Sequence, residues 1–255
     1  MSDRDEPVPF AVPQPAPPPP PPPAPSPPSP VAPWPAPAAP RERFIAAYHA
    51  RPATDYVFEF WTAFGWTLLS CGYFGVYVVY QQVRRSRDHI RRRCELLEAA
   101  ALVAWERAER DGTSESLRPH FDRMTPHFAH LRALDKEFRD PAIWAVIQLV
   151  VSFAQLVAMA LLDRDLITHD RAEGAIEHEL VQIYATFGVA LTPPNPARVK
   201  APHNIGGRVA ATIGSCGLYA LWWLYDSMND LNQHFAHNWR SEDEFAIAVE
   251  RLAGS

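Results

Sequence analysis

FWTAFGWTLLSCGYFGVYVVYQQV runs from Phe60 to Val83 without a charged side chain. A helix needs about 20 mainly apolar residues to cross about 30 Å of hydrocarbon, and a water-exposed helix of this length would carry a charged stripe. Two more uncharged stretches follow, at 141–162 and at 209–225. The sequence therefore predicts transmembrane helices at 56–83, 141–162 and 209–225.

Basic residues predict the orientation of these spans. Of the 24 Lys and Arg residues, 13 lie between 81 and 141, and loops rich in Lys and Arg stay in the cytoplasm. Aromatic residues at the span ends suit the headgroup zone. The expected localisation is the cell membrane, crossed three times.

The cytoplasmic segment 84–140 has amphipathic helical spacing. Ile90, Cys94 and Leu97 recur at three- and four-residue steps, and a second apolar stripe follows Pro126. Two antiparallel helices joined by 113–125 would bury both stripes; alternatively, the stripes meet a second copy or another protein. The predicted fold class is an all-α, three-span integral membrane protein with a cytoplasmic helical hairpin.

The remaining segments are a tail, a connector and a C-terminal region. Residues 1–40 hold 19 of the 27 prolines, and because proline fixes φ and lacks an amide donor, 1–55 is predicted to be a disordered Pro-rich N-terminus. An extramembrane connector is expected at 163–208 and an amphipathic tail at 226–255.

Six arginines directly after the first span are candidate site residues. Their charges either set the topology or bind anionic headgroups, and membrane lipid is an expected partner. The six are Arg84, Arg85, Arg87, Arg91, Arg92 and Arg93.

Polar residues in the second span form another candidate site. Gln148, Ser152 and Gln155 are spaced to share one helix face. Burying polar groups in a membrane is unfavourable, so they either join helices by hydrogen bonds or line a pathway.

Other chemistry is predicted to be absent. A net charge of −5 argues against a nucleic-acid partner, and the three cysteines have no metal-ligand spacing. The tetrapeptide His-Phe-Ala-His occurs at 127–130 and 234–237, but no Cys or Glu in a recognised spacing accompanies it. We expect no metal, no cofactor and no catalytic residue.

The first and third spans resemble each other at an offset of 145 positions. Ser70-Cys71-Gly72 aligns with Ser215-Cys216-Gly217, and His89 aligns with His234. The sequence thus contains an internal repeat that places both copies in the same direction.

These residues resemble domain-of-unknown-function family 4234. The resemblance rests on Trp66-Thr-Leu-Leu-Ser-Cys-Gly-Tyr-Phe-Gly-Val-Tyr, Glu179-Leu-Val-Gln-Ile-Tyr184 and Leu221-Trp-Trp-Leu-Tyr, and covers roughly residues 60–240. The long charged insertion after the first span departs from the family pattern. The resemblance implies a small prokaryotic membrane protein with no assigned activity.

The expected function is that of a non-enzymatic membrane anchor or interaction module, with 84–140 as the surface for a partner or a second copy. The alternative is an oligomeric channel or transporter subunit for ions or small solutes.

Overall fold

The computed structural model describes residues 38–136, 140–151, 153–195 and 203–254, and within these ranges it contains helices and no strand. The all-helical prediction therefore agrees with the structure, and the Pro-rich segment 1–37 lies outside the described residues. The helices are α1 Pro40–His49, α2 Arg51–Thr54, α3 Phe60–Leu69, α4 Tyr73–Arg110, α5 Ser114–Lys136, α6 Pro141–Val150, α7 Ala154–Thr186, α8 Ile205–Gly214 and α9 Leu218–Gly254.

The prediction of three transmembrane helices is wrong, and with it the multi-pass location in the cell membrane. In the described part of the chain, no helix is long and apolar enough to cross a membrane. The physical reason is that each uncharged stretch breaks in the middle. α3, α6 and α8 have 10 residues each, about 15 Å of helix, which is half of a hydrocarbon core of about 30 Å.

The breaks at 70–72 and 215–217 are the same turn. Cys71 and Gly72 have φ of 52° and 94°, and the aligned Cys216 and Gly217 have 50° and 92°. In both turns the glycine N–H donates to the carbonyl five residues earlier, at 2.8 Å, as in helix ends closed by a left-handed residue. The Ser-Cys-Gly repeat thus encodes a repeated helix reversal.

A third copy of this hairpin is formed by α6 and α7. Its short helix is as long as the other two, and all three short helices begin at a polar cap whose side chain accepts backbone N–H groups: Glu59, Asp140 and Asn204. The third break lies between Val150, where α6 ends, and Ala154, where α7 begins, and the sequence between them lacks the Ser-Cys-Gly signature. Within the described ranges there are therefore three hairpins: α3/α4, α6/α7 and α8/α9.

The hairpins pack in a cyclic order. The long helices α4, α7 and α9 contact one another, α3 contacts α4 and α9, and α6 contacts α7 and α4. α8 contacts α9 and reaches α7 through an ion pair of 2.9 Å between Arg208 and Asp163. Each short helix thus lies against its own long helix and that of a neighbouring hairpin, which is an approximate three-fold arrangement.

The other helices surround the far half of this core. α4 ends at Arg110, and α5 starts at Ser114 and runs through Pro119 and Pro126, so the turn is much shorter than the predicted connection at 113–125. α5 forms despite its prolines because tertiary packing outweighs local propensity. Its buried apolar residues include Leu117, Met124 and Leu131.

Two other predicted boundaries also differ. Residues 40–54, predicted to belong to the disordered tail, form α1 and α2, and Phe44 is fully buried. The predicted connector at 163–208 is largely helical, because α7 continues to Thr186.

Replacing the turn glycines tests this hairpin geometry. Gly72→Ala and Gly217→Ala are each expected to lower the free energy of unfolding by about 1–2 kcal/mol, because a Cβ is strained at positive φ. Gly65→Ala is the matched control: it lies inside α3 with open space around it and should be neutral or slightly stabilising. Urea unfolding measures all three, and equal effects would contradict the assigned turns.

Candidate metal centre

Three buried histidines, one from each hairpin, meet in the core. His89, His169 and His234 occupy equivalent positions, each about four turns along its long helix. The Nε2 atom of His234 is 3.2 Å from that of His89 and 2.9 Å from that of His169. Contacts between the long helices advance along both partners, from Arg85–Asn232 to Arg93–Glu242 between α4 and α9, and from Arg93–Glu177 to Ala100–Tyr184 between α4 and α7. The long helices therefore run parallel, and the three hairpin turns lie at one end.

Each ring has an oxygen atom close to its other nitrogen. Nδ1 of His89 lies 3.0 Å from Oδ1 of Asp55, and Nδ1 of His234 lies 3.2 Å from Oδ1 of Asp170. Nδ1 of His169 lies 2.8 Å from the carbonyl oxygen of Asp165. An oxygen beside Nδ1 is the usual arrangement of metal-ligating histidines. The three Nε2 atoms face one another, and the amide nitrogen of Asn238 lies 3.0 Å from Nε2 of His234 and 3.4 Å from Nε2 of His89.

Glu173 supplies a fourth donor one turn after His169. Its carboxylate oxygens lie 3.8 Å from Nε2 of His89 and 3.6 Å from Nε2 of His234, and it accepts a hydrogen bond of 2.9 Å from Asn238. Metal–nitrogen bonds of about 2.0–2.1 Å imply ligand separations of roughly 3.3 Å around a tetrahedral ion. The four donors match that size, and their side chains are 0–6% exposed.

Acidic side chains and arginines are buried together around the histidines. Buried charges are tolerated when they are paired and hydrogen-bonded. The buried charged residues around the histidines include Asp55, Asp170, Glu173, Glu177, Glu242, Arg92 and Arg93.

The two arginines hold the surrounding carboxylates in place. Arg92 lies 2.5 Å from Asp55 and 2.8 Å from Glu242. Arg93 lies 3.2 Å from Glu242 and also contacts Glu177. Burial alone would raise the pKa of Asp55, but His89 and Arg92 hold that pKa well below its ordinary value. Asp55 therefore remains a carboxylate beside His89.

A second group of possible metal ligands lies beside the positively charged side chain of an arginine. His203, Asp226 and Asp230 lie close enough to share an ion. The guanidinium of Arg208, however, lies 2.5 Å from Asp226 and 2.9 Å from Asp163. Because Arg208 supplies positive charge there, we assign no metal to this group.

The six arginines predicted to face lipid or set topology divide between core and surface. Arg85 is buried like Arg92 and Arg93, so these three are inaccessible to headgroups. Arg84 and Arg87 pair with Asp88, and the exposed Arg91 pairs with Asp135. A role of Arg84, Arg87 and Arg91 toward lipid headgroups or topology stays a prediction.

The predicted polar face of the second span is divided between two helices. Gln148 lies on α6 and Gln155 on α7, while Ser152 lies outside the described residues. Because α6 ends at Val150, the expected common face does not form. Gln148 Oε1 is buried without a hydrogen-bond partner among the described residues.

The sequence contained part of the signal for this centre. Of the two His-Phe-Ala-His tetrapeptides, only His234 reaches it; His130 and His237 are exposed. The internal repeat had already aligned His89 with His234. The third hairpin, with His169 and Glu173 four residues apart, was missed because its turn sequence differs.

His169 predicts a pH dependence of stability. Burial, together with the nearby His234 and His89, lowers the pKa of His169 well below its ordinary 6.5. The unfolded chain therefore binds more protons than the folded chain as pH falls below about 6.5, and stability should decrease, by up to about 1.4 kcal/mol per pH unit for this proton.

Urea unfolding at about pH 7.5, 6.5 and 5.5 measures this dependence. His169→Gln removes the titrating group and should flatten the profile, whereas the exposed His237→Gln should retain it. Stability that increases in wild type between pH 6.5 and 5.5 would refute the assignment.

No family model, curated protein or solved structure matches the chain. The resemblance to family 4234 therefore stays a prediction.

Proposed function

We propose that this protein binds one divalent transition-metal ion, with Zn²⁺ as the best fit, through His89, His169, His234 and Glu173. The observation that carries the proposal is the convergence of three Nε2 atoms whose rings each have an oxygen within 3.2 Å of Nδ1. These nitrogens and the carboxylate of Glu173 are donor atoms that Zn²⁺ prefers, at separations close to those of a tetrahedral site.

The donor set favours a structural role for the ion. Three imidazoles and one carboxylate suit Zn²⁺ in tetrahedral geometry, and sites with four protein ligands are typically structural, whereas catalytic sites keep one position open. The ion would join the three hairpins at their common axis, so that metal binding contributes to folding.

The expected absence of enzymatic activity remains a prediction. The anchoring or interaction role and the alternative of a channel or transporter also remain predictions. The metal centre is compatible with either, because it concerns how the core is held together.

Metal analysis of the purified chain tests the proposal. Mass-spectrometric elemental analysis of wild type should find about one metal ion per chain, or uptake of one Zn²⁺ after metal removal. His169→Ala and His234→Ala should lose most of this binding, and the matched control His237→Ala should retain it. No Zn²⁺ uptake by wild type, or equal uptake by His169→Ala, would overturn the proposal.

Co²⁺ substitution tests the fourth ligand. A four-coordinate Co²⁺ ion absorbs strongly in the visible range, whereas a six-coordinate ion absorbs weakly. Wild type should give the strong bands, and Glu173→Gln should weaken and shift them while His89, His169 and His234 still bind the ion. An unchanged spectrum in Glu173→Gln would remove Glu173 from the ligand set.

A further inference from the structure

The hairpin turns form an apolar end of the molecule. Most of the large apolar side chains that are exposed lie in the three uncharged stretches. Leu69, directly before the first turn, is 77% exposed, and Leu218, directly after the third, is 73% exposed. A contiguous apolar surface of this kind marks a binding face.

The apolar end extends to a similar depth on all three hairpins before charged residues begin. After each turn, the first charged residue on the long helix is Arg84, Asp163 or Asp226, about two to three turns from the start of its helix. At about 1.5 Å per residue, the charge-free layer is about 12–17 Å deep on all three hairpins. On the short helices, charge returns near their polar starts, at Glu59, Asp140 and Arg208.

We propose that this end inserts into one leaflet of a phospholipid bilayer without crossing it. The depth of the charge-free layer equals about half of a hydrocarbon core of about 30 Å. Exposed Trp61, Trp222 and Tyr225 lie close to the charged boundary, where aromatic rings suit the headgroup zone. A second copy of the chain could bind through any complementary patch, so it would not require charge-free layers of similar depth on the three hairpins. A planar lipid layer does require this similarity.

A groove between α3 and α9 continues this surface. Its volume is about 420 Å³, and its lining includes Phe60, Phe64, Leu221 and Trp222. The lining residues are all aromatic or aliphatic. The groove therefore suits one acyl chain of the same leaflet.

Vesicle flotation of the full chain provides the first test. Wild type should float with phosphatidylcholine vesicles, and Leu69→Glu combined with Leu218→Glu should reduce the bound fraction at least about tenfold, because two charges would enter hydrocarbon. Ile247→Glu is the matched control, since Ile247 is 58% exposed on α9 far from the turns. Circular dichroism checks that the variants, which change exposed residues, remain folded.

The native cysteines distinguish insertion from crossing. Cys71 and Cys216 are exposed at two of the turns. A membrane-impermeant maleimide should label both in lipid-free protein, and vesicles should protect both, whether the reagent is added outside or trapped inside. Labelling from the vesicle interior would indicate crossing and overturn the proposal. Absence of flotation would also overturn the proposal. If wild type is instead a dimer that Leu69→Glu makes monomeric, the proposal is overturned and the apolar end binds a second copy of the chain.

Discussion

Removing the metal is expected to lower the melting temperature by about 8–16 °C. A ligand that binds only the folded state, at a free concentration about 1,000 times its dissociation constant, stabilises that state by about 4 kcal/mol. For a chain of this size each kcal/mol shifts the melting temperature by about 2–4 °C. The expected loss is large because the four ligands come from all three hairpins.

Differential scanning fluorimetry with a chelator, and then with added Zn²⁺, measures this loss and its recovery. His169→Ala should melt at one temperature with or without Zn²⁺, while His237→Ala should respond as wild type does. If a chelator changes neither wild type nor His237→Ala although bound metal has left the protein, the ion does not hold the hairpins together.

The sequence predicted the helical class but not the path of the apolar stretches. An uncharged stretch of about 20 residues has the same composition and length whether it forms one long helix or a hairpin of two shorter helices. The information that separates them lies in Gly72 and Gly217, where positive φ reverses the chain. Small residues such as Ser-Cys-Gly are also typical of places where two helices approach closely, so their composition alone does not indicate a turn.

The candidate site was predictable only in part. The internal repeat identified His89 and His234 as equivalent positions, and a search for a third hairpin by helix length and polar cap would have added His169. Asp55, which lies beside His89, comes before the first uncharged stretch, in a segment predicted to be disordered. Nothing local in that segment indicates a contact with α4, because tertiary packing creates it.

Arg93→Met is expected to have the second large effect, a loss of about 3–5 kcal/mol in the free energy of unfolding. Removing one partner of a buried ion pair has this magnitude, because the other charge stays buried. Arg93 contacts Glu177 and Glu242 and lies 3.8 Å from Glu173. These carboxylates raise the pKa of Arg93, although burial opposes them.

The pH dependence of Arg93→Met separates charge from packing. Without the guanidinium, the buried core carries one positive charge less, which favours proton uptake by the folded variant. Its stability relative to wild type should therefore recover as pH falls from about 7.5 to about 5.5. Wild type should lose stability over the same range, through His169.

Two further variants complete the comparison. Arg93→Lys keeps the charge but not the planar fork of donors, so its stability should lie between those of wild type and Arg93→Met. Arg91→Met removes a surface pair with Asp135 and should change stability little, since exposed ion pairs contribute little. If Arg93→Met loses no more stability than Arg91→Met, the burial of Glu177 and Glu242 does not depend on their ion pairs with Arg93. Glu177 and Glu242 would then be balanced by other groups of the folded core, because a buried carboxylate left without a positive partner lowers the free energy of unfolding.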